Sequence, residues 1–100
     1  MQKKVKDFCN ELNLNSSVES RVLDIISELG ELSKEILKSN MYGKAQLKIV
    51  SDDLKLEIGD LYFSLLCLAN QLEIELDGAC ESVLDKYKKR FATKSSINSK

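Results

Sequence analysis

The stretch Leu54–Asn70, LKLEIGDLYFSLLCLAN, decides the fold. From Leu61 to Ala69 only Ser64 is overtly polar, whereas Asp53, Glu57, Asp60 and Ser64 recur at the i, i+4, i+7 and i+11 spacing of one helix face. The spacing predicts a helix that is apolar nearly all round and carries one narrow polar stripe. Such a helix belongs in a core, so its stripe either meets solvent at an edge or lines an internal site. In an internal site Glu57 and Asp60 repel each other and lose hydration unless a cation neutralises them. They are therefore metal-ligand candidates.

The same local pattern occurs earlier. Glu28-Leu29-Gly30-Glu31 and Glu57-Ile58-Gly59-Asp60 both read acid, aliphatic, glycine, acid. A helical Gly costs about 1 kcal/mol relative to Ala. Room is the simplest reason to find one between both pairs, because backbone without a Cβ can lie close to another helix or a ligand.

One hundred residues with no Pro, four Gly, six aromatics and abundant Leu, Ile, Lys and Glu predict a single all-α domain. Sixteen acidic against fifteen basic residues leave the net charge at −1, which points to neither a nucleic-acid binder nor an acidic tail. The charges are nevertheless unevenly placed. Lys86, Lys88, Lys89, Arg90 and Lys94 gather near the C-terminal end, while the acid pairs lie in the middle. Cys9, Cys67 and Cys80 are odd in number and far apart in the chain, and read as reduced core residues. There is no His and no CxxC, which argues against a zinc site and against a Glu-x-x-His di-iron bundle. No segment has the apolar length of a membrane span or a signal peptide, so the expectation is a soluble, cytoplasmic protein without membrane contact.

Helical spacing of Val5, Phe8, Cys9 and Leu12 predicts a first helix from about Lys3 to Leu12, stopped by Asn13 to Asn15. A second helix, capped by Ser16 or Ser17, runs from about Val18 to Lys38, with Val18, Val22, Ile25, Ile26, Leu29, Leu32, Ile36 and Leu37 as its apolar face. Asp24, Glu28, Glu31 and Glu35 line up along another face. Ser39 to Leu47 is the central loop, with Asn40 and Gly43 as stop and turn residues. A third helix starts at Ser51 and runs to about Leu72. A fourth, capped by Asp77, reaches about Phe91, so that residues 1–92 form one domain and 93–100 a polar C-terminal tail. The long second and third helices should pack as an antiparallel hairpin at the centre of a bundle of about four helices. That pairing can bring Glu28 and Glu31 opposite Glu57 and Asp60.

Carboxylates suit hard divalent cations, and Mg²⁺ in particular is shared between a few carboxylates, water and substrate phosphates. Several such ions beside four acids call for an anionic ligand. A nucleoside triphosphate meets that need, with Lys86, Lys89 and Arg90 on the fourth helix available to grip phosphate. Lys44 can reach a nucleotide from the loop. Asn70 can read a base or fill a polar gap in the bundle.

At these residues the sequence resembles the MazG-type all-α nucleoside triphosphate pyrophosphohydrolases: ELGEL at Glu28–Leu32, EIGDLYFSLLCLAN at Glu57–Asn70 and ACESVLDKYKKRF at Ala79–Phe91. The resemblance extends from about Val18 to Phe91. It implies Mg²⁺-dependent cleavage, with Mn²⁺ as a substitute, of a (deoxy)nucleoside triphosphate to the monophosphate and pyrophosphate, serving nucleotide pool control or house-cleaning. It implies Glu28, Glu31, Glu57 and Asp60 as metal ligands, and Lys86 and Arg90 as phosphate contacts, with Lys89 less closely matched. Asp85 stands at a substrate-side position where the family often has Asn, and Ser27 where it often has a second acid. The general base is then either Glu35 or a hydroxide on the metal. The family's assembly into dimers or dimers of dimers fits the all-round apolar third helix.

Against this stand blander readings. Acids at i and i+3 usually belong to a solvated face, Lys86 to Arg90 can simply complement a helix dipole, and Asp24 and Glu35 read as solvated. The alternatives are a non-catalytic dimeric helical binding module and a related pyrophosphohydrolase acting on phosphoribosyl-ATP.

Overall fold

Four helices form where the periodicity places them: α1 (Gln2–Glu11), α2 (Val18–Ser39), α3 (Asp52–Gln71) and α4 (Leu76–Asn98). The structure is a computed structural model that describes residues 1–45 and 50–98, with side chains through 93. It contains no strand among the described residues, so the fold is all-α.

Local chemistry sets most boundaries. Ser17 Oγ accepts from Ser20 N at 3.1 Å and Ser51 Oγ accepts from Leu54 N at 3.0 Å. Glu19, Asp52 and Asp53 occupy the first turns that follow, where a negative charge favours the helix dipole. α1 stops because Asn13 turns left-handed at φ 56°, which lets Leu14 N donate to Cys9 O at 2.8 Å. α2 ends at Asn40, whose Oδ1 accepts from Gly43 N at 3.0 Å. The chain then turns through Met41, Tyr42 and Gly43 at φ 53°, 56° and 86°. Met41 and Tyr42 carry the Cβ that makes this region cost about 1–2 kcal/mol per residue. The end of the expected loop at Leu47 lies outside the described residues, as do 99–100 of the expected tail.

The fourth helix departs from expectation at both ends. Its first N–H to need a partner, Leu76 N, donates to Gln2 Oε1 at 2.7 Å, while Asp77 sits in the first turn instead of capping it. Gln2 also donates through Nε2 to Ile74 O at 2.7 Å and Asn70 Oδ1 at 3.2 Å. One side chain thus ties the start of α1 to the end of α3 and the start of α4, a tertiary cap that no local motif announces. At the other end the backbone stays helical to Asn98, past Phe91. No Gly or Pro follows Phe91 to stop it, and each added residue completes another backbone bond.

α2 and α3 lie against each other as an antiparallel hairpin, and α1 packs on α3. The buried core sits at the α1–α3 contact, where Val5 and Cys9 meet Leu66 and Cys67 with Phe63 and Leu76 packed around them. Phe8 and Phe63 stack edge to face with centroids 6.2 Å apart. Cys9 and Cys67 are buried free thiols with sulfurs 3.6 Å apart, and burial pushes the Cys67 thiol up to about 11. Cys80 is exposed on α4, against the expectation of a core position.

The long helices are not covered by their own chain. No residue of α2 is buried, and Val22, Ile26, Leu29, Ile36 and Leu37 of its expected apolar face are exposed. On α3, Leu56, Ile58 and Tyr62 are at least half exposed. Every α4 residue from Asp77 to Thr93 is exposed, including Val83, Leu84, Tyr87 and Phe91.

Candidate metal centre

The antiparallel pairing brings the second and third helices' acid pairs to one place. One carboxylate oxygen each from Glu28, Glu57 and Asp60 lies within 4.8 Å of the others. Glu28 and Glu57 are half-buried and Asp60 is exposed, so the cluster opens to solvent on one side. Partial burial first, and then the charges of Asp60, Glu28, Glu31 and Glu35, push the Glu57 carboxyl above its ordinary range. Glu31 is thus close enough to act on Glu57 electrostatically without joining the three-oxygen cluster.

All available donors here are hard oxygens, with neither sulfur nor imidazole among them, which is the donor set of Mg²⁺, Mn²⁺ or Ca²⁺. A divalent cation also removes the repulsion that raises Glu57. The residues present therefore fit such an ion.

Glu35 departs from the solvated reading. Its side chain is only 18 % exposed and its Oε2 lies 3.6 Å from Lys38 Nζ. Asp24 is more open and lies 3.7 Å from Arg21. A Cβ built on Gly30 or Gly59 meets nothing within 4 Å among the described residues, so the backbone beside each acid pair is open.

The remaining site residues expected from the sequence are scattered. Asn70 faces α1, donating to Gln2 O at 3.0 Å while its Oδ1 accepts from Gln2 Nε2. Lys44 is exposed in the turn that closes the hairpin. Lys86, Lys89, Arg90 and Asp85 are exposed on α4. Lys86 Nζ and the Arg90 guanidinium lie over the Tyr87 ring, 5.1 and 5.4 Å from its centroid. The ring holds two cations on one stretch of α4.

Two residues outside the expected set enclose polar atoms. Arg21 and Gln71 line a cavity of about 80 Å³ between α1, the start of α2 and the end of α3. Arg21 Nε and Gln71 Oε1 are buried without a protein partner, a condition that costs about 1–3 kcal/mol per group unless something else satisfies it. Arg21 lies one helical turn before Asp24 on the polar stripe of α2, and that register is the only trace of it in the sequence.

Residues 16–93 match the family model of the MazG nucleotide pyrophosphohydrolase domain. The chain belongs to the MazG family. These are hydrolases of nucleotide phosphoric anhydride bonds, and the matched range contains both acid pairs and the basic part of α4. YpjD, an uncharacterized protein of Bacillus subtilis strain 168, is 41 % identical over 68 residues, which are 66 % of this chain. That match spans only 60 % of the relative's length. Among solved structures, the Bacillus-conserved MazG protein, a nucleotide pyrophosphohydrolase, superposes with a TM-score of 0.73 at 28 % identity, covering 87 % of this chain and 84 % of its own. The structure of YPJD from Bacillus subtilis superposes with a TM-score of 0.71 at 32 % identity, covering 86 % of each chain. The all-α MazG architecture thus carries over almost the whole chain. No helix among the described residues is long and apolar enough to cross a membrane.

Proposed function

We propose that this MazG chain is a Mg²⁺-dependent pyrophosphohydrolase, with Mn²⁺ able to substitute, that converts a (deoxy)nucleoside triphosphate to its monophosphate and pyrophosphate. The observation that carries the reading is the all-oxygen cluster of Glu28, Glu57 and Asp60 within 4.8 Å, supported by family membership. Glu28, Glu57 and Asp60 would hold the ion, with Glu31 completing the set. Bound there, a divalent ion supplies charge neutralisation for the phosphoryl oxygens of the transition state.

The chain's own groups divide the remaining work. Glu35, close enough to raise Glu57 and tied to Lys38, is the group to receive a proton from the attacking water. Lys86 and Arg90, gathered on Tyr87, are the phosphate grips, Arg90 by bidentate donation and Lys86 as a point charge. Lys89, Asp85 and Lys44 lie exposed and are secondary contacts; Asn70 acts through its bond to α1.

A second copy of the chain belongs to the same reading. The apolar side of α4 is open, and a groove of about 420 Å³ runs between α3 and α4, lined by Tyr62, Leu65, Leu76 and Val83. Exposed apolar surface on three helices of one chain is what a helical oligomer interface leaves when taken apart. In a dimer or dimer of dimers, α4 of one copy would bring its cations to the other's carboxylates.

The deciding experiment measures pyrophosphate release from a panel of canonical and damaged triphosphates, and from phosphoribosyl-ATP, with Mg²⁺ and with EDTA. Pyrophosphate and monophosphate in equal amounts, only with metal, are expected. Release of orthophosphate, or no turnover together with no Mg²⁺-dependent rise in melting temperature, would leave a helical module without this chemistry.

A further inference from the structure

Arg21 and Gln71 each use one end to hold the α1–α2 connection, and both residues line the same cavity. Arg21 donates through Nη2 to Leu14 O, and Nη1 faces Asp24 at 3.7 Å. Gln71 donates through Nε2 to Ser16 O, which identifies the inward end of its amide as oxygen. What remains is an Nε–H donor and an Oε1 acceptor, both buried and without a protein partner, on two residues that line one small space. Their anchoring removes most of the rotamer freedom that a ligand would otherwise have to freeze.

The cavity lies in register with the carboxylates. Arg21 precedes Glu28 by seven residues and Gln71 follows Asp60 by eleven, so both continue the site faces of their helices toward the same end of the antiparallel pair. Along the helix axes this is roughly 10–16 Å at about 1.5 Å per residue, the scale that separates a nucleotide's phosphates from the far edge of its base. Two cations, Lys6 and Arg21, stand in the wall and no carboxylate does, so the cavity does not repeat the metal cluster. Buried thiols of Cys9 and Cys67 make part of the wall apolar, as a ring face needs.

We propose that Arg21 and Gln71 form the nucleobase subsite of this chain. Nε–H donates to an acceptor on the base edge and Oε1 accepts from a neighbouring N–H, the reciprocal pair that Watson–Crick edges present. The subsite rests on the nucleotide reading above and assigns specificity to two residues remote from the metal.

Binding tests it without turnover. In the ¹⁵N-labelled full chain, nucleoside 5′-monophosphates should shift the Arg21 Nε–H and the Gln71 side-chain amide resonances, whereas ribose 5-phosphate and inorganic phosphate should not. Equal shifts with inorganic phosphate would make this an anion site, and no shift with any nucleotide would remove the proposal. Because nothing is hydrolysed, this result is independent of whether the hydrolase reading survives. For the active enzyme, Arg21→Lys and Gln71→Met should each lower kcat/KM for the preferred triphosphate by about tenfold, the value of one hydrogen bond, while turnover of ribose 5-triphosphate is unchanged. Equal loss on both substrates would mean that the two residues only hold the α1–α2 connection.

Discussion

The α2–α3 seam and α4 are opposite solutions to placing charge on a helix. In the seam, carboxylates from two helices are forced within 4.8 Å of one another by pairing inside one chain. On α4, the cations are gathered by a single aromatic ring and every described side chain after Leu76 is exposed. The seam is strained as electrostatics, because partial burial first and then like charges raise Glu57. α4 is incomplete as packing. The difference teaches that the acidic cluster is a property of the single chain, whereas the proposed phosphate grip stands on a helix that this chain leaves open.

The contrast can be broken at either side. Glu57→Gln should lower Mg²⁺-dependent pyrophosphate release by more than about 100-fold, beyond the 10–100-fold cost typical of losing a supporting group. Its helical circular dichroism and melting temperature without metal should stay level or rise, since a repelled charge is removed. Unchanged turnover would separate the seam from catalysis. On α4, Leu84→Asp with Phe91→Asp should reduce the sedimenting mass to that of one chain; an unchanged mass would mean that α4 is not the interface.

Smaller effects sharpen it. Lys86→Ala with Arg90→Ala should raise KM by about tenfold or more with kcat less affected, given about 1.5–3 kcal/mol for charge-assisted bonds. A kcat loss at constant KM would instead give these cations a role in the transition state alone.

The pH dependence follows from Glu57. Its raised carboxyl pKa means the folded state holds the proton more tightly than the unfolded state does. The associated stability is therefore present below the ordinary glutamate range and lost as pH rises through the raised value. Mg²⁺ should restore it at neutral pH, seen as a rise in melting temperature that shrinks as pH falls and protons displace the ion. A pH-independent increment would place the ion elsewhere. The smallest effect is expected at Gly30→Ala, which should stabilise by up to about 1 kcal/mol if nothing approaches that backbone. Destabilisation would mean that a second copy approaches where this chain leaves open space.

Much of this was readable before any coordinates. The 3.6-residue period located four helices, Ser17 and Ser51 marked two starts, and Asn13 and Asn40 marked two ends, because each of these acts through its own neighbours. Gln2 capping α4 was not readable, since the residues it joins are more than seventy positions apart. Cys80 could not be told from Cys9 and Cys67, because apolar spacing does not say which faces a single chain covers.

The sequence by itself determined that acids recur on one face of each long helix, since side-chain direction along a helix is set by chain geometry alone. Only the tertiary structure decided that Glu28, Glu57 and Asp60 share one space while Glu31 stands beside it. It likewise decided that Arg21 and Gln71 line a common cavity, each with one buried polar atom left without a protein partner. Those outcomes depend on the axial offset between paired helices and on where α1 lies across them, distances that no local pattern encodes.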